Sequence, residues 1–458
     1  MIRRLRTDLQ PKARTWASER LGIDVPPEDR AVVRFATFEL FVVLYLEKFG
    51  VGSAKSQIAI PIFFMFAGLI WMIMTRRITF SATRLGLYLI FVSCCLFSSL
   101  LANSIGSILS IMDLLLLCSF LTTSAPLSEA GYFRVLDNFV KLMIVPAIIV
   151  LIQFGIQRIT GQADPINMNA MLPKSILMQG YVYHANYPHW DSPFQRPNGF
   201  FFLEPSFVSF FTASAVIIEF MFFRRLFLVI LMIVATALTQ GSTGITVLIL
   251  ASPFLLARES PRLVLPIVVT AIAGIFLALM LGADLPLVSR LSELDTSNVG
   301  AGYEASGALR LIIPWQRFVT FLSDPSFLLT GTGAGSTVVE DGSAWPIVKL
   351  TREYGVITMI SYVVFFASAF AGRYNIPLKV AAWVIFNFTG GYLLDSTLII
   401  TFSILFCIIE PVRSAAGNEV RGSVEPDGVA QPQHASAFPR LVSVRPSAAR
   451  IASQPLRR

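Results

Sequence analysis

Apolar runs separated by short polar turns fill most of the chain, and many of them approach the roughly 20 residues that a helix needs to cross a bilayer. They fall near 32–47, 57–75, 85–102, 106–122, 139–156 and 202–222 in the first half, then near 225–239, 243–257, 262–282, 352–371, 378–393 and 396–411. The pattern predicts an all-α polytopic membrane protein of about 12 transmembrane helices with its core over 32–411. A transmembrane β-barrel would instead show alternating segments of about ten residues. Two long polar stretches, 157–200 and 283–350, break the series and are expected to fold over one membrane surface as large loops. No internal repeat or inverted half-symmetry of the transporter kind is visible.

Composition sharpens this picture. With 55% hydrophobic and 14% charged residues and a mean hydropathy of +0.68, the chain is too apolar for a soluble domain of its length. Its net charge of +8 does not point to nucleic acid, because the basic residues sit in short turns beside the spans and in the tails. Arg76, Arg77 and Arg84, then Arg224 and Arg225, Arg258 and Arg262, and Arg373 and Lys379 all fall on one side of the alternating series. The turns 101–106, 239–243 and 393–396 on the other side carry neither Lys nor Arg, and only the turn with Lys48 and Lys55 departs from the pattern. The positive-inside rule then puts both termini in the cytoplasm and both large loops on the periplasmic side. Residues 1–31 read as a cytoplasmic N-terminal segment and 412–458 as a flexible basic cytoplasmic tail. The first span lacks a cleavage site and is expected to stay as an anchor. Cys94, Cys95, Cys118 and Cys407 lie within apolar runs, so no disulfide framework is expected.

Candidate chemistry concentrates beside the long polar stretches. Gln195-Arg196-Pro197-Asn198-Gly199-Phe200-Phe201-Phe202-Leu203-Glu204-Pro205-Ser206 places an Arg and a Glu around a Gly-containing turn. Pro205 suits a first helical position, which would set the Glu204 carboxylate at a helix N-terminus, either as a cap or as a group that orients or deprotonates a sugar hydroxyl. In the second stretch, a short helix broken by Pro314 is expected to aim Arg310 and Trp315 at one cavity. Gly331, Gly333 and Gly335 would leave backbone amides free for phosphate, without the Lys-Ser/Thr ending of a nucleotide loop. Lys349 to Gly355 puts charge at the mouth of the tenth span, as a binding group or an interfacial anchor. Tyr181, Tyr183, His184, Tyr187, His189, Trp190 and Asp191 could stack on sugar rings or simply line a membrane interface. Two histidines and one Asp fall short of a metal site, and neither metal nor cofactor is expected. Among ionisable residues within spans, Lys141 is expected to pair with Asp113 and Asp395 to cap an outer turn, with Glu39 left as a further charge in hydrocarbon.

The chain resembles the superfamily of O-antigen ligases and Wzy-type polysaccharide polymerases. The stretch from Arg196 to Ser206 is similar to an Arg-x-x-Gly-x-x-x-Glu-Pro-Ser pattern with one extra residue between Gly199 and Glu204. Leu238-Thr239-Gln240-Gly241-Ser242-Thr243-Gly244 resembles the family's tight turn, with Thr243 where an Arg often stands. Ser306 to Trp315, Gly331 to Ser336 and Glu353-Tyr354-Gly355 are similar in order and spacing to its second large loop. The ligases' His in that loop is missing from Val339 to Trp345, which favours the polymerase branch. The resemblance implies a metal-independent glycosyltransferase of the bacterial inner membrane that joins undecaprenyl-pyrophosphate-linked repeat units on the periplasmic face. A chain-length regulator and other polysaccharide export proteins are its candidate partners. Such a leaving group needs guanidinium counter-charges, for which Arg196, Arg290, Arg310 and Arg352 are available. Arg310, Arg196 and Glu204 are the expected catalytic residues. Arg290, Arg352, Trp315, His184, Tyr187, Trp190, Gly331 and Gly333 are expected to bind substrate. An O-antigen ligase is the alternative enzyme. A lipid-linked oligosaccharide exporter or small-molecule carrier is the alternative outside enzymes, and it would line its spans with more charge than this chain has.

Overall fold

The computed structural model describes residues 25–53, 56–102, 107–178, 195–258, 313–336, 345–371, 376–388 and 400–411. Helices dominate: α1 (Arg30–Tyr45), α2 (Ile60–Met74), α3 (Ala82–Leu101), α4 (Ile108–Ser119), α5 (Glu129–Thr160), α6 (Pro205–Ile218), α7 (Leu226–Leu238), α8 (Ser242–Arg258), α9 (Ile313–Ser323), α10 (Pro346–Tyr354), α11 (Val356–Phe370) and α12 (Ile376–Phe388). Three of them are long and apolar enough to cross a membrane: α3, α5, and α6 with its π-helical extension to Phe223. Shorter apolar helices accompany them. Their outward faces carry Phe63, Phe64, Ile70 and Trp71 on α2, Leu89, Ile90, Leu96 and Phe97 on α3, and Phe227, Ile230 and Ile233 on α7. Arg84, Cys95 and Ser98 of α3 instead point inward. Water does not match a surface built that way round, whereas hydrocarbon does. Every residue of α6 is buried, because it packs against α5, α7, α8 and α12 at once.

Local signals set the helix ends. Ser81, Ser107 and Ser128 cap α3, α4 and α5 with side-chain oxygens that accept from Arg84, Ser110 and Gly131 amides. Gly161 ends α5 at φ +70°, and Gly355 separates α10 from α11 at φ +87°. That corner shortens the expected tenth span: it begins at Val356, and Arg352 and Glu353 belong to a separate helix. The expected fifth span lengthens to 32 residues, because the Ser128 cap starts α5 one full polar segment earlier. The last apolar run passes into a π-helix at Ser403–Ile408 and ends as a strand, β5 (Ile409–Pro411).

The helical core is therefore accompanied by two small sheets. β1 (Gly50–Ser53) and β2 (Ser56–Ala59) form an antiparallel hairpin, while β3 (Thr79–Phe80) pairs antiparallel with β4 (Thr123–Leu127), which pairs parallel with β5. Contacts between turns fall into two sets. In one, Phe49 bridges Leu177, the Ser107 amide donates to the Ala334 carbonyl at 2.9 Å, and Arg196 reaches the Gln240 carbonyl at 3.5 Å. In the other, β3, β4 and β5 meet, Asp29 accepts from the Ser128 amide at 2.9 Å, Arg225 pairs with Asp137 at 2.7 Å, and Lys379 pairs with Glu410 at 3.3 Å. Each set gathers residues in turns or near helix ends at one end of the described helices. Among the described residues, the second end carries Arg76, Arg77, Arg224 and Arg225, and the first carries the described parts of both polar stretches.

Candidate functional site

At the first end, the 195–204 turn is seated against α5 beside Pro146. Pro146 interrupts that helix and leaves the carbonyl of Leu142 without its helical donor. The Tyr45 hydroxyl supplies one instead, donating to that oxygen at 2.7 Å. The Tyr45 ring then lies 4.6 Å from Phe201 of the turn. Gly199, at φ +66°, faces the Pro146 carbonyl and Val208 so closely that a Cβ would sit 3.4 and 3.2 Å from them. Phe200 follows at φ +69°, its amide bonded to Asn198 Oδ1 at 3.1 Å. Pro205 takes the first turn of α6, and extended Glu204 precedes it. The Glu204 carboxylate accepts from Ser206 Oγ at 2.8 Å and makes no side-chain cap bond to the helix.

The 239–244 turn packs beside this one. Gln240 adopts φ +51°, and its carbonyl is the acceptor for Arg196. Gly241 and Gly244 press on Ser209 of α6, where a Cβ would come within 2.6 and 2.2 Å of its side chain. Ser209 Oγ donates to the Gly241 carbonyl at 2.9 Å and accepts from the Gly244 amide at 3.1 Å. The expected tight turn is thus a glycine-dependent seat against α6, next to Glu204 and Ser206.

The second polar stretch supplies α9, the 325–336 segment and α10. Pro314 starts α9 instead of breaking it, as the missing amide of proline favours. Trp315 is exposed, with its ring 6.2 Å from Trp345. Arg352 lies over the Phe321 ring at 6.0 Å. Burial first, then the guanidinium of Arg317, draws Arg352 below the usual arginine range, against Glu353. Arg317, two residues beyond Trp315, is a cation that sequence reasoning passed over. The glycine segment differs from the expected phosphate cradle. The amides of Thr332 and Gly333 donate to the carbonyls of Arg352 and Glu353 at 2.8 and 3.2 Å. A Cβ on Gly331 would fall 2.2 Å from the Arg352 oxygen. Glycine there lets the loop close on the end of α10, and those two amides are already engaged.

The charges expected within spans pair otherwise than predicted. Lys141 bonds Asp137 on its own helix at 2.7 Å, not Asp113. Asp113 belongs to the half of α4 near Ser107, and the cation acting on it is Lys349. Lys141 lies toward the opposite end of α5, where Asp137 also holds Arg225. Glu39 is fully buried, and its carboxylate oxygens have no hydrogen-bond partner among the described residues. Gly68 gives it room, since a Cβ would lie 2.8 Å from Glu39 Oε1. Lys48 is 1% exposed. Burial pushes its ammonium down to about 8, with Glu47 and then Asp164 opposing. Burial in turn raises Asp164, against its bond from Asn167 and the Lys48 charge.

Arg196, Glu204, Trp315, Gly331, Gly333 and Arg352 therefore all lie at one end of the bundle. Arg290, Arg310, His184, Tyr187, Trp190 and Asp395 lie outside the described residues, as do the expected span at 262–282 and the tail 412–458. Among the described residues no three His, Cys, Asp or Glu side chains converge to hold a metal ion. The fold defines a largely helical protein with several apolar helices suited to a membrane. Comparison with known protein families, curated proteins and solved structures finds no match to the chain.

Proposed function

We propose that this protein is an inner-membrane polysaccharide polymerase. It transfers a growing glycan from undecaprenyl pyrophosphate onto the terminal sugar of a second lipid-linked repeat unit. In this reading the end with the Arg-rich turns is cytoplasmic, and the end with the two polar stretches is periplasmic. The observation that carries the proposal is the built turn at 195–204. It holds Arg196 against the 239–244 turn and Glu204 ahead of α6, at the same end as Arg317, Arg352 and Trp315.

The acceptor hydroxyl oxygen attacks the anomeric carbon of the donor glycan. The carbon–oxygen bond to pyrophosphate breaks, and its electron pair leaves with the lipid pyrophosphate. The hydroxyl proton passes to a carboxylate, for which Glu204 is the first candidate. Guanidinium groups, always protonated and fork-shaped, neutralise the departing phosphates without a divalent ion. Arg196, Arg310 and Arg352 fill that role, joined by Arg317.

The test is the size distribution of lipid-linked glycan in cells that produce Arg196→Ala or Arg310→Ala at wild-type protein levels, beside a deletion. Single repeat units on the periplasmic side in place of long chains support the proposal. Long chains that stay on the lipid carrier transfer the assignment to an O-antigen ligase. Units held on the cytoplasmic side in the deletion mark an exporter and overturn it.

A further inference from the structure

Two buried glutamines stand one helical turn apart near the end of α5, in a run that is otherwise apolar. Gln153 is 2% exposed and Gln157 4%. A buried primary amide is costly unless its polar atoms are engaged, and here five hydrogen bonds engage the Nε2 groups of both residues and the Oε1 of Gln153. Gln153 Oε1 accepts from the Gly199 amide at 3.0 Å. Its Nε2 donates to Asn198 Oδ1 at 3.3 Å and to the Ile166 carbonyl at 3.4 Å. Gln157 Nε2 donates to the Gln195 carbonyl at 2.7 Å and the Ala163 carbonyl at 3.1 Å. The Gln195 amide closes the same junction on Ala163 at 3.0 Å.

These bonds all reach the two ends of one excursion. The chain leaves α5 through 163–166 and returns through 195–199, and the two amides fasten both strands to the helix. The residues held on the return strand are Gln195, Asn198 and Gly199, which bracket Arg196 on either side. Residues four apart share a helix face, so one rigid surface of α5 fixes the register and direction of the return strand. That surface adds to the contacts with Pro146, Val208 and Asn198 that hold the positive-φ pair Gly199 and Phe200.

We infer that Gln153 and Gln157 are positioning residues for Arg196, clamping the base of the first large polar stretch so that the guanidinium meets substrate in one place. The inference rests on the proposed function. A positioning error of about 1 Å can lower a rate about a hundredfold, so the clamp bears on turnover more than on the presence of the fold.

The experiment uses the full chain in phospholipid nanodiscs and in cells, with Gln153→Leu, Gln157→Leu, Gln153→Glu and Arg196→Ala. Gln153→Glu keeps the oxygen that accepts from Gly199, whereas Gln153→Leu removes it. Backbone hydrogen exchange of the 195–203 segment should accelerate at least about fivefold in both Leu variants, with exchange within α3 and α6 unchanged. Glycan chains should shorten in the same variants, and Gln153→Glu should restore part of both properties. Unchanged exchange at 195–203 overturns the clamp. Faster exchange with full-length glycan overturns its positioning role. Full-length glycan in Arg196→Ala overturns the role proposed for Arg196, and full-length glycan in the deletion overturns the proposed function itself, a result that the exchange measurements cannot mimic.

Discussion

Removing a single hydroxyl tests how the candidate site is seated. Tyr45→Phe deletes the donor that reaches the Leu142 carbonyl at 2.7 Å and keeps the ring that packs 4.6 Å from Phe201. Pro146 denies that carbonyl its helical partner, so in hydrocarbon it would be left without a donor, at a cost of about 1–3 kcal/mol. Tyr45 is only half-buried, which favours the lower half of that range. Pro146→Ala restores an amide four residues along, and Leu142 regains a helical bond. In that background Tyr45→Phe should cost no more than about 0.5 kcal/mol, giving a coupling of about 0.5–2 kcal/mol between two residues about a hundred positions apart. Reversible unfolding in mixed micelles across the four proteins measures it. Equal losses in both backgrounds, or no loss beside Pro146, would refute the idea that the hydroxyl stands in for the missing amide.

At the opposite end, Arg225→Ala should destabilise the protein by about 3–5 kcal/mol. It strips the partner from Glu219, whose side chain is fully buried, while Asp137 keeps Lys141 at 2.7 Å. Adding Glu219→Gln should recover most of the loss in the same unfolding assay, and a loss from Arg225→Ala below about 1 kcal/mol would contradict the buried pair. Lys48 gives a pH dependence with a definite sign. Its ammonium is held at about 8 against an ordinary 10.5, so the unfolded chain binds more protons between those values. Stability should therefore rise from about pH 8 to about 10.5, by on the order of 3 kcal/mol, while the penalty persists in full below pH 8. Lys48→Met should remove that rise in the difference curve, and an identical slope in the variant would contradict the burial argument.

The helical, apolar character of this protein is legible in its sequence. Apolar runs of span length mark the helices because backbone amides in hydrocarbon must bond within their own segment, and the alternation of arginines marks the two ends. The seat of Pro205 at the start of α6, and the glycine turn ahead of it, followed from what proline and positive-φ glycine permit. Other features needed the tertiary structure. Gln153 and Gln157 look in sequence like scattered polar residues, because their partners at 163–166 and 195–199 are joined only by folding. Arg317 stood unremarked beside Trp315 until α9 brought it toward Arg352. The glycines near 331 invite a phosphate in one dimension, yet in three they let a loop close onto carbonyls of α10. Lys141 finds Asp137 instead of Asp113 because position along the helix axis, not adjacency of spans, decides which charges meet. Local sequence fixes what each backbone segment can form, since those rules act within a few residues. Which polar groups satisfy one another depends on distances between segments far apart in the chain, and the folded arrangement alone sets them.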